Sequence, residues 1–145
     1  MVIFTEVLRP PIWVLAFIYF MFLSLVIAIW AALDSTSTLV AFVVATLAIP
    51  VIAKSLTSKI QVDQNELRID KAHIELKYLG KATVMDSDAM RLLRTRDADP
   101  AAFLAIKFWA SRGIKIEVND PRDSTPYWLI TSKRGEKLAA LLTKQ

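Results

Sequence analysis

The sequence predicts a helical hairpin in a membrane, followed by a small α+β soluble domain. Two long uncharged apolar runs near the amino end predict the hairpin, and short alternating segments after Lys59 predict the domain. The mean hydropathy of +0.41 is high for an ordinary soluble domain of 145 residues. The apolar excess lies before Ile60, because that part carries only five charged residues: Glu6, Arg9, Asp34, Lys54 and Lys59. We therefore divide the chain into a transmembrane hairpin, residues 1–58, and a cytoplasmic domain, residues 59–145.

The first predicted span covers residues 12–33, and the second covers about residues 37–55. At about 1.5 Å per residue, the first span is long enough to cross a hydrocarbon core of about 30 Å. Pro50 lies inside the second span and is expected to bend its last turns. The polar link, residues 34–38, is short, so the two helices are expected to be antiparallel neighbours. Small residues in the second span could form a close-packing face, against the first helix or against another membrane protein: Ala41, Ala45 and Ala48.

Basic residues near the span ends predict the orientation. Arg9 precedes the first span and Lys54 and Lys59 follow the second, whereas the link holds only Asp34. The positive-inside rule then places both termini in the cytoplasm of a multi-pass protein of the cell membrane. A cleaved signal peptide is the competing interpretation, but its apolar core would be unusually long and Glu6 would lie in its basic segment.

Seven short strands and two helices are predicted after Lys59. Polar residues 63–66 separate the first two strands, which is typical of a β-hairpin. The strands cover residues 60–62, 67–69, 73–78, 82–85, 103–109, 114–118 and 127–131. A helix over residues 89–94 is capped by the segment Asp86 to Asp88, and a closing helix over residues 133–143 has Ser132 as its N-cap. Short links make the strands antiparallel, so we expect a seven-stranded split barrel with a C-terminal helix, as in pleckstrin-homology-like domains; a two-layer α+β sandwich is the alternative.

A motif in the last third of the chain resembles a known family. Residues 120–134 read DPRDSTPYWLITSKR, and residues 99–104, 107–109 and 112–114 contribute DPAAFL, KFW and RGI. Together with the LRPP segment, residues 8–11, they resemble the actinobacterial domain-of-unknown-function family 3093. The resemblance implies a small actinobacterial membrane protein with two spans and a cytoplasmic domain. It implies no established activity, and it carries over no catalytic residue.

The remaining motifs do not favour an enzyme. The chain has no cysteine, which excludes disulfides, thiolate metal sites and cysteine nucleophiles. Its three glycines lie far apart, so no glycine-rich phosphate loop is present. His73 is expected on the exposed face of its strand, and the D-x-D pairs at 86–88 and 97–99 are typical of caps and turns. We therefore expect no catalytic residue, no metal and no cofactor.

Scattered basic residues predict a surface for a partner or for lipid. The formal net charge of +4 is too small to indicate nucleic acid binding. Nine residues form the candidate surface: Arg91, Arg94, Arg96, Trp109, Arg112, Lys115, Arg122, Lys133 and Arg134. The alternative is that these charges are solvated and pair with acidic neighbours, while Trp109 packs in the core.

Two functions follow from this interpretation. The preferred one is a membrane-anchored, non-enzymatic adaptor or accessory subunit, whose domain binds a membrane-protein partner or a second copy of the chain. The alternative is a domain at the membrane surface that senses anionic lipid through its basic residues.

Overall fold

The computed structural model of the protein describes residues 2–143. The chain forms two compact units. One comprises the residues up to Val7 together with those from Lys59 onward, and the other comprises Leu8–Ser58. The second division falls between Ser58 and Lys59, and a segment before the hairpin belongs to the domain.

The second unit is a pair of long apolar helices, as predicted. Helix α1 covers Ile12–Ala32 and helix α2 covers Ser35–Leu56, with Pro50 inside it. Both are long and apolar enough to cross a membrane. Only 11% and 6% of their most apolar 18-residue stretches are buried within the chain, so most large side chains face outward. Asp34 caps α2 by accepting hydrogen bonds from the backbone N–H groups of Thr36 and Ser37.

Small residues line the contact between the two helices. Ala45 is buried, and Ala41 and Ala48 on the same side of α2 are half-buried. One polar contact crosses the pair, a hydrogen bond of 3.2 Å between the hydroxyls of Tyr19 and Thr46. The predicted small face of α2 therefore packs in the hairpin, because side chains without bulk let two backbones approach closely.

The first sheet of the domain has four strands in the order β1-β2-β3-β4. They cover Phe4–Leu8, Ser58–Val62, Glu66–Ile69 and Ala72–Glu75. Alternate residues are buried along β1, β2 and β3, as expected for strands with one covered face. Strand β1 was not predicted from the sequence. Because β1 and β2 are neighbours in the sheet, the helical hairpin is an insertion between two adjacent strands.

The second sheet has the order β5-β7-β8-β6. Its strands cover Leu79–Met85 (β5), Phe103–Ala105 (β6), Gly113–Val118 (β7) and Tyr127–Thr131 (β8). All five residues of β8 are buried, which makes it the centre of the domain. The prediction of a central antiparallel strand over 103–109 is wrong, since β6 is three residues long, lies at an edge and runs parallel to β8. The chain leaves the ladder there because the N–H of Lys107 bonds the Thr131 hydroxyl instead.

Two helices and a helical turn complete the domain. Helix α3 covers Ser87–Arg94 and helix α4 covers Gly135–Thr143. A 3-10 turn, Leu76–Tyr78, replaces the second half of the strand predicted over 73–78. The closing helix begins two residues later than predicted, and the fully buried Leu138 anchors it.

The strand count also differs from the prediction. Residues 2–143 form eight strands in two four-stranded sheets, without a closed barrel. The eighth strand is β1, which lies about fifty residues before its partner β2 in the chain. The mixed helix and strand domain is as expected, and its likeness to pleckstrin-homology domains stays a prediction.

Candidate functional site

A groove of about 660 Å³ lies beside the amino end of α4. Three segments line it: the end of β5 with Asp86, the start of β7 with Arg112, and residues 132–137. Its walls carry four basic side chains and two acidic ones: Arg112, Lys133, Arg134 and Lys137 against Asp86 and Glu136. We name this feature the basic groove.

Two glycines beside the basic groove lie where neighbouring elements approach closely. A Cβ on Gly113 would lie 2.3 Å from the carbonyl oxygen of Ile130 in β8 and 2.8 Å from Met90 Cε in α3. A Cβ on Gly135 would lie 3.3 Å from the carbonyl oxygen of Gly113. A larger residue at 113 would therefore collide with β8 and α3, whereas Gly135 is the residue at which α4 approaches the backbone of β7.

None of the four basic side chains has an acidic partner within the described part of the chain. The ion pairs between residues 2–143 include none of Arg112, Lys133, Arg134 and Lys137. The Asp86 carboxylate accepts a hydrogen bond of 2.8 Å from the N–H of Ala89 and caps α3. The basic groove therefore has four basic side chains without an ion pair against two acidic ones, a balance that favours an anionic group.

A buried carboxylate from β1 lies directly behind the basic groove. Glu6 is 5% exposed, and both its oxygens accept hydrogen bonds. The Ser132 hydroxyl donates to Oε2 at 2.6 Å, and the backbone N–H of Lys133 donates to Oε1 at 2.8 Å. The Arg134 guanidinium bonds the carbonyl oxygen of Thr5 and lies 4.9 Å from the ring centre of Phe4. We call these contacts between residues 4–6 and residues 132–134 the clasp.

The predicted basic surface is only partly assembled. Arg112, Lys133 and Arg134 meet in the basic groove. The arginines of α3 and the turn after it do not line it: Arg91 lies 3.8 Å from Asp88, Arg96 lies 3.3 Å from Asp97, and Arg94 is exposed.

The other three predicted residues pack against aromatic rings. Lys115 is half-buried, with Nζ 4.5 Å from the ring centre of Tyr127. Trp109 is half-buried, and its ring meets Phe108 edge-on at 4.9 Å. Arg122 bonds Asp120 at 3.2 Å and the Tyr78 hydroxyl at 3.0 Å. Of these three side chains only Arg122 has an acidic partner, while Lys115 and Trp109 contact aromatic rings.

A smaller cavity of about 200 Å³ surrounds Arg122 and includes His73. The Arg122 side chain donates to Asp120, and this hydrogen bond lowers the pKa of Asp120 and raises the pKa of Arg122. A hydrogen bond from the Thr125 hydroxyl likewise lowers the pKa of Asp123. The one arginine of this cavity is therefore already paired with Asp120. Residues 2–143 contain no cluster of three or more His, Asp or Glu side chains that could hold a metal ion.

Two residues of the site were missed from the sequence. Lys137 was assigned to the closing helix without a role, although it follows Lys133 and Arg134 by about one helical turn. Glu6 was used only as an argument against a signal peptide. The alternation of Phe4, Glu6 and Leu8, with Glu6 inward, is a signal for a strand and could have revealed β1.

Comparison with known families gives a match over nearly the whole chain. The model of a family described as protein of unknown function (DUF3093) matches residues 3–142. No curated protein and no solved structure matches the chain. The matched residues include β1, the hairpin, both sheets and the basic groove.

Proposed function

The chain belongs to DUF3093, a family of proteins of unknown function, and on that premise we propose that it is a membrane-anchored, non-enzymatic adaptor or accessory subunit. Its domain binds a partner protein, and its hairpin holds that partner at the membrane. One observation carries the proposal: an apolar hairpin with outward-facing large side chains is inserted between two paired strands of a domain whose basic groove has four basic side chains without an ion pair.

The exposure of the helices supports a membrane location. Ile12, Phe17, Phe20 and Trp30 are each more than 60% exposed in the chain, which would be costly in water at roughly 25 cal/mol per Å² of apolar surface. Lipid removes that cost. Signal-peptide cleavage after α1 is disfavoured, because it would also remove β1 and the buried Glu6 from the domain.

The insertion between β1 and β2 supports a topology. Neighbouring strands of one sheet lie on one side of a bilayer, so both ends of the hairpin belong on the side of the domain. Arg9, Lys54 and Lys59 then favour the cytoplasmic side.

The topology can be tested by labelling single cysteines, since the native chain has none. In intact cells, Thr36→Cys in the link reacts with a membrane-impermeant maleimide, and Lys81→Cys on β5 reacts only after permeabilisation. Equal labelling of both variants in intact cells contradicts the proposed topology.

The chemistry of the basic groove supports binding rather than catalysis. Ser132 is the hydroxyl that lines it, but it is 2% exposed and donates its proton to Glu6. A serine nucleophile must reach its substrate, and this one is covered. Arg112, Lys133 and Lys137 suit an acidic segment of a partner protein, because charge complementarity guides association and discriminates against wrong partners.

A photo-crosslinker tests the adaptor proposal in native membranes. With benzoylphenylalanine in place of Lys137, we expect one major protein adduct that is absent with the same probe in place of Lys81. The adduct is lost when Arg112→Glu and Lys133→Glu are added. It survives the matched change Arg94→Glu on α3. The proposal is contradicted if the adduct persists after Arg112→Glu and Lys133→Glu, or if no protein adduct forms at all.

The second candidate function is sensing of anionic lipid, and the same basic groove favours it. Full-length protein in nanodiscs with and without anionic lipid separates the two functions by hydrogen exchange. Lipid sensing predicts that residues 132–137 exchange more slowly only with anionic lipid and only at low salt. If residues 132–137 exchange at the same rate with and without anionic lipid, lipid sensing is contradicted and the adaptor function is the one that stands.

We also propose that the domain is a pleckstrin-homology-like fold. Two antiparallel features support this proposal, the four-stranded first sheet and the pairing of β5, β7 and β8, together with the C-terminal helix that follows them; the insertion of α3 and the parallel edge strand β6 would be additions to that fold. An experimental structure that superimposes poorly on such domains over both sheets contradicts this part of the proposal.

A further inference from the structure

We propose that Glu6 is an internal ligand of the basic groove, and that the clasp inhibits binding of an acidic partner until it opens. The segment of residues 132–134 has two roles, since it lines the basic groove and holds β1. This inference rests on the proposed function for the acidic nature of the partner. It adds a regulatory contact within the same site.

The contacts of Glu6 are those that a bound acidic side chain would make. Its carboxylate accepts one hydrogen bond from the Ser132 hydroxyl, three residues before α4, and one from the Lys133 backbone N–H, two residues before α4. The amino end of a helix favours negative charge, because its first N–H groups are unpaired and its dipole is positive there. The structure therefore contains one carboxylate already bound at the segment that a partner carboxylate would approach.

Opening of the clasp would release further groups to the basic groove. In the clasp, the Arg134 guanidinium is occupied by the carbonyl oxygen of Thr5 and by the ring of Phe4. Without these contacts, the Arg134 guanidinium is free to bind an anionic group beside Arg112, Lys133 and Lys137. The Ser132 hydroxyl and the Lys133 N–H also become free donors. The open clasp is therefore the state with the greater affinity for an anionic partner.

The clasp lies on the chain path to the membrane hairpin. Glu6 precedes Ile12, the first residue of α1, by six residues, and Pro10 and Pro11 lie between them. β1 is an edge strand, with β2 as its one neighbour in the sheet, which makes it cheaper to displace than a central strand. Opening of the clasp therefore requires only this edge strand to move.

Coupling of this kind is reciprocal. If an open clasp raises the affinity for an acidic ligand, then that ligand favours the open clasp by the same factor. Hydrogen bonds to a charged group are worth about 1.5–3 kcal/mol, which corresponds to roughly tenfold or more in affinity.

The test uses the full chain in nanodiscs of neutral lipid, with a fluorescent hexaglutamate peptide as the probe. Glu6→Ala is expected to bind the probe roughly tenfold tighter than the wild type. Glu6→Gln, which keeps the side-chain shape and one acceptor oxygen, is expected to lie between them. The control is Glu136→Ala, which removes one negative charge from the basic groove outside the clasp. Equal tightening by Glu6→Ala and Glu136→Ala overturns the internal-ligand proposal, because it reduces the effect to general electrostatics.

A second measurement does not depend on the folding of a variant. Added hexaglutamate is expected to speed hydrogen exchange of the β1 amides in the wild type, and hexalysine is expected to leave them unchanged. Probe binding that is equal in wild type, Glu6→Gln and Glu6→Ala, with unchanged β1 exchange, overturns the clasp but leaves the proposed function intact. No binding to any variant overturns both.

Discussion

Contacts in the helical hairpin join residues close in sequence, whereas the domain depends on contacts across nearly the whole chain. The one polar contact between α1 and α2 joins residues 27 apart, Tyr19 and Thr46. The clasp joins Glu6 to Ser132, which are 126 residues apart. The two units therefore differ in what they require: the hairpin needs apolar composition and small residues, and the domain needs individual residues at both ends of the chain.

The domain and the hairpin also differ in how closely their backbones approach. In the hairpin, Ala45 is the buried small residue between the helices. In the domain, Gly113 leaves no room even for a methyl group, since a Cβ would lie 2.3 Å from a backbone oxygen. Single substitutions are therefore expected to have large effects in the domain and small effects in the hairpin.

The largest expected effect is that of Gly113→Ala. Its Cβ would collide with the carbonyl oxygen of Ile130 at the centre of the second sheet, and backbone cannot move aside as a side chain can. We expect a loss of about 3 kcal/mol in the free energy of unfolding of the domain, at the upper end for overpacking. The measurement is hydrogen exchange of the β7 and β8 amides in the full chain.

Gly135→Ala is the matched control at the other wall of the basic groove. Its Cβ would meet a backbone oxygen at 3.3 Å, which requires a shift of only a few tenths of an ångström, and alanine favours the helix. We expect a change close to zero. If both variants destabilise the domain equally, the shorter Cβ distance at Gly113 does not determine the cost of the substitution.

The hairpin could be predicted from the sequence because its determinants are local. The predicted spans, 12–33 and 37–55, differ by no more than two residues at any end from Ile12–Ala32 and Ser35–Leu56. Apolar length and a polar link suffice for that result. The two hairpin strands after Lys59 were predicted for the same reason, since only residues 63–65 separate them.

The missed features of the domain depend on partners distant in sequence. Strand β1 has the alternation of a strand, but its partner β2 follows about fifty residues later, after the hairpin. The apolar run from Phe103 to Trp109 suggested a central strand, and only the Thr131 hydroxyl that takes the Lys107 N–H explains why it stops at Ala105. The sequence likewise shows which residues are charged without showing that Arg112, Lys133 and Arg134 converge.

The next effect concerns the cap of α3, a short element of the domain. Asp86→Ala removes the acceptor for the Ala89 N–H and is expected to cost about 1 kcal/mol, the usual value of an N-cap. Faster hydrogen exchange in residues 87–94 is the measurement. Asp88→Ala, on an exposed residue of the same turn, is the control and should change exchange by less. If Asp86→Ala and Asp88→Ala speed exchange equally, the cause is the loss of a negative charge near the start of α3 and not the loss of the N-cap hydrogen bond.

A smaller effect is expected from the polar contact of the hairpin. Tyr19→Phe removes the hydroxyl that meets Thr46 and should weaken the helix pair by about 0.6 kcal/mol, the average for such contacts in membranes. Force-induced separation of the helices in a bilayer measures it. Ser24→Ala is the control, since the Ser24 hydroxyl bonds only the carbonyl oxygen of Phe20 in its own helix. If Tyr19→Phe loses more stability than Asp86→Ala, the expectation that single substitutions have smaller effects in the hairpin than in the domain is wrong.

The smallest effect is a titration at the turn of the hairpin. The hydroxyl and backbone N–H of Ser37 donate to the Asp34 carboxylate, and they lower the pKa of Asp34 from 3.8 to about 2. A lowered pKa means that the folded turn prefers the charged form. The capping interaction is therefore complete above pH 3.8 and is lost as the pH falls toward 2.

Ser37→Ala removes the hydroxyl, which is the largest cause of the shift, while the backbone donors of Thr36 and Ser37 stay in place. We expect the Asp34 midpoint, followed by carboxyl carbon NMR in micelles, to move partway back toward 3.8. Thr38→Ala is the control, because the Thr38 hydroxyl donates to the backbone carbonyl of Asp34 and not to its carboxylate. If the midpoint does not move in Ser37→Ala, the backbone N–H groups of Thr36 and Ser37 alone lower the pKa of Asp34. The cap would then depend on the backbone geometry of the turn and not on the Ser37 side chain.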